Sequence, residues 1–102
     1  MKREELVASR WSLEKANAYM ESFGVVKGVN YVPSYCYSYI EIWHHFREEW
    51  IVRELGYAKE IGINSLRIFV AACQWETRRE LVCQNLDRFL TIASEMGFAI
   101  ML

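Results

Sequence analysis

Apolar residues recur at helical spacing in three stretches of the chain, and the first follows a good helix start. Ser12 is of a type whose side chain caps helix N-termini. The apolar positions after it step by 3, 4 and 3 residues: Leu13, Ala16, Met20 and Phe23. This spacing predicts a short amphipathic helix that ends at Gly24.

Two longer helices are predicted at about 47–61 and 80–96. The first carries an apolar stripe of Ile51, Leu55, Ala58 and Ile61. The second carries a stripe of Val82, Leu86, Phe89, Ala93 and Met96. In both, charged residues lie away from the stripe, as in a helix that packs one face on a core.

Apolar and β-branched runs follow each predicted helix and read as strands at 25–32, 64–70 and 98–102. Gly24, Gly62 and Gly97 stand at the three helix-to-strand junctions, where a glycine accepts the left-handed cap conformation at little cost. Pro33 ends the first run, since proline cannot continue a central ladder. Residues 33–45 read as a long aromatic loop.

The resulting order of helix, strand, helix, strand, helix, strand predicts parallel neighbouring strands joined by crossover helices. The junction glycines are 38 and then 35 residues apart, which suits one strand-plus-helix unit. Two architectures fit this order, a doubly wound sheet and a (β/α)8 barrel. The chain looks like the opening of a repeating α/β protein that continues beyond Leu102.

Composition narrows the function classes. The net charge is −1 and Arg78-Arg79 is the nearest thing to a basic cluster, which argues against nucleic acid as a partner. No apolar run approaches the ~20 residues that span a bilayer, so no membrane partner is expected. No signal peptide is visible at the start of the chain, and the localisation stays open between cytoplasmic and secreted.

No cofactor or metal is expected. The three cysteines show no C-x-x-C spacing, and His44-His45 are adjacent residues that point in different directions. The first strand-to-helix loop has neither a G-x-G-x-x-G nor a phosphate-binding loop pattern.

Aromatic residues crowd the loops after the first two predicted strands. The set is Tyr31, Tyr35, Tyr37, Tyr39, Trp43 and Trp75. Such residues are either core groups or a platform on which the C–H-rich faces of sugar rings stack, and the pattern leaves both interpretations open.

Three polar residues are candidates for chemistry. Arg67 lies in the second predicted strand, where both faces are normally covered, so we expect it to be buried in an ion pair or to position an active-site carboxylate. Asn30 would either satisfy the turn before Pro33 or bind a sugar hydroxyl. Glu41 would either be a solvated loop carboxylate or bind a pair of hydroxyls.

The ordered segments resemble the amino-terminal part of cellulase-like glycoside hydrolases, the family 5-type (β/α)8 barrels of clan A. The resemblance runs from about Trp11 to Leu102. The segments that carry it are 11–16 (WSLEKA), 28–35 (GVNYVPSY), 41–43 (EIW), 53–55 (REL), 58–62 (AKEIG), 64–69 (NSLRIF), Trp75 and 85–90 (NLDRFL).

This resemblance implies a fold and an activity. The fold class would be α/β: a short amino-terminal arm and helix at 1–23, then the first three β/α units of a TIM barrel at 24–102, an incomplete barrel. The activity would be retaining hydrolysis of β-linked glycans by two glutamates about 5 Å apart, after the fourth and seventh strands. Neither strand is in this chain, so we expect it to be inactive by itself.

The resemblance also implies roles for single residues. Arg67 would support the nucleophile, and the near side of the sugar cleft would be lined by Asn30, Tyr31, Glu41, Trp43 and Trp75. The alternative is a small non-enzymatic α/β domain that binds carbohydrate through its aromatic loops, or associates with itself through open sheet edges.

Overall fold

The computed structural model describes residues 2–102, and in this range it contains five helices and three strands. In chain order they are α1 (Arg3–Ala8), α2 (Leu13–Phe23), β1 (Gly28–Asn30), α3 (Glu48–Glu60), β2 (Ser65–Arg67), α4 (Ala72–Thr77), α5 (Arg79–Glu95) and β3 (Ala99–Met101).

The three predicted helices are confirmed as α2, α3 and α5, with ends within a residue or two of the prediction. The Ser12 hydroxyl accepts the Lys15 N–H at 3.2 Å, so the predicted cap is present. Helices α1 and α4 were not predicted. Each has six residues, too few for an apolar stripe to repeat.

The strands form one sheet of order β1-β2-β3, and both pairs are parallel, as predicted. Gly28, Ser65 and Ala99 lie side by side in one register row, and Asn30, Arg67 and Met101 lie in another. Each strand has only three residues, fewer than the sequence indicated.

Asn64 explains why β1 begins late. Its side-chain oxygen accepts the Lys27 N–H at 2.8 Å, and its side-chain amide donates to the Val25 carbonyl at 2.8 Å. These bonds occupy backbone groups that would otherwise belong to a strand ladder. The chain before β1 is therefore held by the Asn64 side chain, together with the Asn64 and Ser65 N–H groups, which donate to the Lys27 carbonyl at 2.9 and 3.3 Å.

The core lies on one side of the sheet. Leu66 and Ile68 point towards α3 and α5, where they join Ile51, Leu55 and Phe89, all at most 1% exposed. Alternate residues of β2 point the other way, because side chains alternate along a strand. We call that other side, which carries Ser65 and Arg67, the open face. The molecule is a slab 40 × 36 × 19 Å.

The prediction of the first three β/α units of a TIM barrel, an incomplete barrel, is wrong. The described residues form only a small three-stranded parallel sheet among five helices, and barrel units are not evident. The alternating pattern specifies local element order and parallel pairing. Barrel geometry depends instead on strand tilt and stagger, which are relations between distant segments. Three strands of three residues each do not build it.

The junction glycines behave as predicted, since Gly24, Gly62 and Gly97 have φ of 83°, 87° and 89°. Gly62 follows Ile61, the residue after α3, and a side chain at Gly62 would meet the strain of the left-handed region whatever space is available. Gly56, inside α3, has helical backbone, and a methyl group added to its Cα would meet nothing within 4 Å.

We predict opposite effects from two alanine substitutions. Gly62→Ala should lower the free energy of unfolding by about 1–2 kcal/mol because of its positive φ. Gly56→Ala should raise it by about 0.5–1 kcal/mol because the unfolded chain loses freedom. Urea denaturation followed by circular dichroism measures both. If the free energy of unfolding changed in the same direction in both variants, the positive φ assigned to Gly62 would be contradicted.

Candidate functional site

The open face offers a polar pair at the carboxyl ends of β1 and β2. Asn30 and Arg67 are register partners and both are exposed. They line a hollow of about 360 Å³ together with Val26 and Met101. An amide and a guanidinium present hydrogen-bond donors at this edge, and the amide also presents an acceptor.

Two aromatic rings extend this pair. The Arg67 guanidinium lies 5.1 Å from the centroid of the Phe69 ring, and the Tyr39 ring lies 5.3 Å from Phe69 at 43°. Tyr39 is 42% exposed. We call Asn30, Arg67, Phe69 and Tyr39 the open-face row. It joins two strand ends to the aromatic loop.

Arg67 is not buried, contrary to expectation. The expectation assumed that both faces of the sheet are covered, whereas helices α3 and α5 cover only the core side. Among the described residues, an ion pair joins Arg88 to Glu48, and none is recorded at Arg67. The guanidinium gains about 0.5–1 kcal/mol from the Phe69 ring instead.

Tyr31 faces the opposite side from Asn30, as adjacent strand residues must. Its ring stacks on Phe89 at 6.1 Å. Burial and the nearby carboxylate of Glu54 raise the pKa of Tyr31 above its ordinary value, so the phenol keeps its proton. Glu54 also accepts the Ser34 N–H at 3.1 Å. Tyr31 therefore belongs to the core side rather than to the open-face row.

Trp43 is fully buried. Its indole N–H donates to the Phe69 carbonyl at 2.9 Å, and its ring meets Phe89 edge-on at 6.0 Å. The Asn85 amide donates to the Trp43 carbonyl at 2.7 Å. A ring with no exposed face cannot stack on a sugar. What Trp43 does is hold the aromatic loop against α5 and the end of β2.

Glu41 shapes the loop from within. Its carboxylate accepts the Tyr37 N–H at 2.7 Å, and it lines a separate hollow of about 260 Å³. Tyr37, His45 and Arg47 line the same hollow. Glu41 is thus placed apart from Asn30 and Arg67, beside a tyrosine that is 98% exposed.

Trp75 lies on α4 and is 38% exposed. The Arg79 guanidinium sits 5.0 Å from its ring centroid. No ring contact between Trp75 and the open-face row is recorded in residues 2–102. Of the six predicted site residues, the structure brings Asn30 and Arg67 together and distributes the other four.

Phe69 was in neither predicted set, whereas Tyr39 was among the aromatic residues of the possible platform but not among the residues that the family resemblance assigned to the sugar cleft. The signal for Phe69 was present in the alternation of β2, since it lies two residues after Arg67 and shares its side. Tyr39 carried a weaker signal, because its placement depends on how the aromatic loop folds back. The Gln74 side chain stabilises this loop conformation by donating a hydrogen bond to the Ile40 carbonyl.

The described residues offer few groups for catalysis or for metal binding. None of the described residues that line the hollow at Asn30 and Arg67 is a carboxylate. Burial raises the pKa of the Cys36 thiol, and Glu41 and Glu54 raise it further, which disfavours the nucleophilic thiolate. No group of three His, Cys, Asp or Glu side chains in residues 2–102 could hold a metal ion. None of the described helices is both long and apolar enough to cross a bilayer.

Comparison with known proteins identifies no family model, no curated protein and no solved structure that matches the chain.

We predict that Trp43→Phe costs about 2 kcal/mol of stability, because the Phe69 carbonyl loses its donor and the core loses volume. Trp50→Phe is the matched control. Trp50 is 41% exposed on α3, and its replacement should cost under about 1 kcal/mol. Denaturant titrations of both variants measure the difference. Equal losses would show that Trp43 does not pin the loop.

Proposed function

We propose that the chain binds β-linked oligosaccharides through the open-face row and does not hydrolyse them. The observation that carries the proposal is the continuity of Asn30, Arg67, Phe69 and Tyr39 on one uncovered side of the sheet. The resemblance to cellulase-like glycoside hydrolases supplies the ligand class.

The row has the two kinds of group that a sugar ring needs. Aromatic faces carry negative charge density, which attracts the slightly positive C–H groups on a pyranose face. Asn30 and Arg67 offer donors, and the Asn30 carbonyl an acceptor, to the hydroxyl groups at the ring edge. The charge of the row is the Arg67 guanidinium, which already lies against the Phe69 ring. The row therefore suits glycans that carry no charge.

The geometry supports extended rather than single-sugar ligands. The hollow is an open depression on a sheet, and the aromatic part continues from it towards Tyr39. A shallow surface buries less of each sugar than a closed pocket does, so affinity must accumulate over several residues. Longer oligosaccharides should therefore bind more tightly than monosaccharides.

The proposal excludes catalysis for a chemical reason. Retaining hydrolysis needs one carboxylic acid to protonate the leaving oxygen and a second carboxylate to attack the sugar. The described residues lining the hollow at Asn30 and Arg67 provide neither group. Binding without bond cleavage is what an amide, a guanidinium and aromatic rings can accomplish.

We predict binding of cellohexaose, mannohexaose or xylohexaose in an NMR titration of the purified chain, with shifts centred on the open-face row. Tyr39→Ala should weaken binding about tenfold, corresponding to about 1.4 kcal/mol. Tyr57→Ala is the control, because Tyr57 is 60% exposed on α3 and distant in sequence from the row.

A second matched pair tests the polar half of the row. Arg67→Ala should weaken binding, whereas Arg53→Ala should not. Both guanidinium groups lie 5.1 Å from an aromatic centroid, so the two substitutions remove similar contacts from the fold. If none of the three hexaoses binds, or if the control variants lose as much affinity as the row variants, the proposal is rejected.

We predict no turnover of β-glucan, mannan or xylan by the pure chain. Reducing-sugar release should equal that of a heat-denatured sample, because none of the described residues that line the hollow at Asn30 and Arg67 is a carboxylate. Reproducible hydrolysis with retained anomeric configuration would contradict this prediction and would require carboxylates placed elsewhere.

A further inference from the structure

The aromatic loop and the start of α3 enclose a second hollow, apart from the open-face row. It has a volume of about 260 Å³ and is lined by Tyr35, Tyr37, Glu41, His45 and Arg47. None of these residues belongs to the row, and none of them lines the hollow at Asn30 and Arg67. We call this separate hollow the loop hollow.

The loop hollow holds two opposite charges that are not paired with each other. The Glu41 carboxylate and the Arg47 guanidinium both line it. Among the described residues, the recorded ion pair joins Arg88 to Glu48, and none joins Glu41 to Arg47. A carboxylate and a guanidinium are therefore both available to a ligand in this hollow.

Other contacts hold these two charges apart. One Glu41 side-chain oxygen accepts the Tyr37 N–H at 2.7 Å, and the Glu41 carbonyl accepts the His45 N–H at 3.0 Å. The Arg47 guanidinium lies 5.5 Å from the centroid of the Tyr35 ring, whose hydroxyl accepts the Arg47 N–H at 2.9 Å. Both charged groups are thus oriented before a ligand arrives, which lowers the entropic cost of binding.

This pair of charges selects a ligand that carries both signs. A simple anion would be attracted by Arg47 and repelled by Glu41, and a simple cation would meet the reverse. Each charge therefore rejects one class of ligand, whereas a zwitterion satisfies both. An α-amino acid carries an ammonium and a carboxylate on one carbon, and it is short enough for a hollow of this size.

Tyr37 indicates the side chain of that amino acid. Its ring lines the loop hollow and is 98% exposed. In residues 2–102 no ring contact is recorded for Tyr37. A free aromatic face beside the two charges favours a ligand with an aromatic ring of its own, since such pairs gain energy beyond the area they bury.

We propose that the loop hollow binds an aromatic α-amino acid, with its ammonium on Glu41, its carboxylate on Arg47 and its ring against Tyr37. Hydrogen bonds between charged groups are the strongest that such a site makes. The hollow is smaller than a typical ligand pocket, so we expect a dissociation constant of about 1 mM. The site uses no residue of the open-face row, so this proposal and that of oligosaccharide binding stand or fall separately.

An NMR titration of the purified chain with L-phenylalanine, at about pH 7 and up to about 20 mM, tests the site. We expect shifts centred on residues 35–47. The analogue 3-phenylpropionate lacks the ammonium and phenethylamine lacks the carboxylate, so each should bind at least about tenfold more weakly. This comparison needs no variant and stays decisive if a substitution disturbs folding.

Two substitutions should exchange the preference of the site. Glu41→Gln keeps an acceptor for the Tyr37 N–H but removes the negative charge. It should weaken phenylalanine binding about tenfold and strengthen 3-phenylpropionate binding, because the repulsion of the anion is gone. Arg47→Gln should likewise weaken phenylalanine binding and strengthen phenethylamine binding. A purely structural role of either residue would weaken all three ligands alike.

Glu60→Gln and Arg53→Gln are the matched controls. Glu60 is exposed at the end of α3, and the Arg53 guanidinium lies 5.1 Å from the Trp50 ring centroid, much as Arg47 lies against Tyr35. Both variants should bind phenylalanine like the parent chain. The proposal is overturned by an absence of shifts at about 20 mM, by equal binding of either analogue, or by equal losses in the control variants.

Discussion

The one-sided burial of strand β2 is the constraint on which the rest of the molecule depends. Leu66 and Ile68 are buried in one core cluster with residues of α3 and α5, and this cluster packs the helices on one side of the sheet. Because side chains alternate along the strand, the same contact commits Ser65 and Arg67 to the other side. The open-face row results from this alternation.

The aromatic loop between β1 and α3 is organised by the core rather than by its own sequence. Trp43 is anchored at three points: its N–H on the Phe69 carbonyl, its ring on Phe89, and its carbonyl on the Asn85 amide. This anchoring positions Tyr39 beside Phe69. The buried Trp43 thus determines the position of the exposed Tyr39. The number of aromatic residues in the loop does not reveal this structural role.

The helices were predictable because their information is local: a cap at Ser12, stripes at helical spacing and glycines with positive φ are read within a few residues. The sheet was less so. Its short β1 results from Asn64, which takes the Lys27 N–H from a position 37 residues away in sequence. The alternation of side chains along a strand could have placed Tyr31 and Asn30 on opposite faces. The burial of Trp43 could not be predicted in this way, because it depends on packing against α5. Nor could the exposure of the open face, because it depends on where the helices pack. The first three β/α units of an incomplete barrel were wrongly inferred, because the spacing of residues along the chain does not specify strand tilt.

The bond between Asn85 and the Trp43 carbonyl joins residues 42 positions apart, and the indole bond to Phe69 spans 26. Contacts between such distant residues close large loops of chain, which costs conformational entropy. The path of the aromatic loop therefore depends on α5, which carries Asn85. Because Tyr39 lies in that loop, a substitution on α5 that weakens this bond would also disturb the open-face row, although α5 lies on the other side of the sheet.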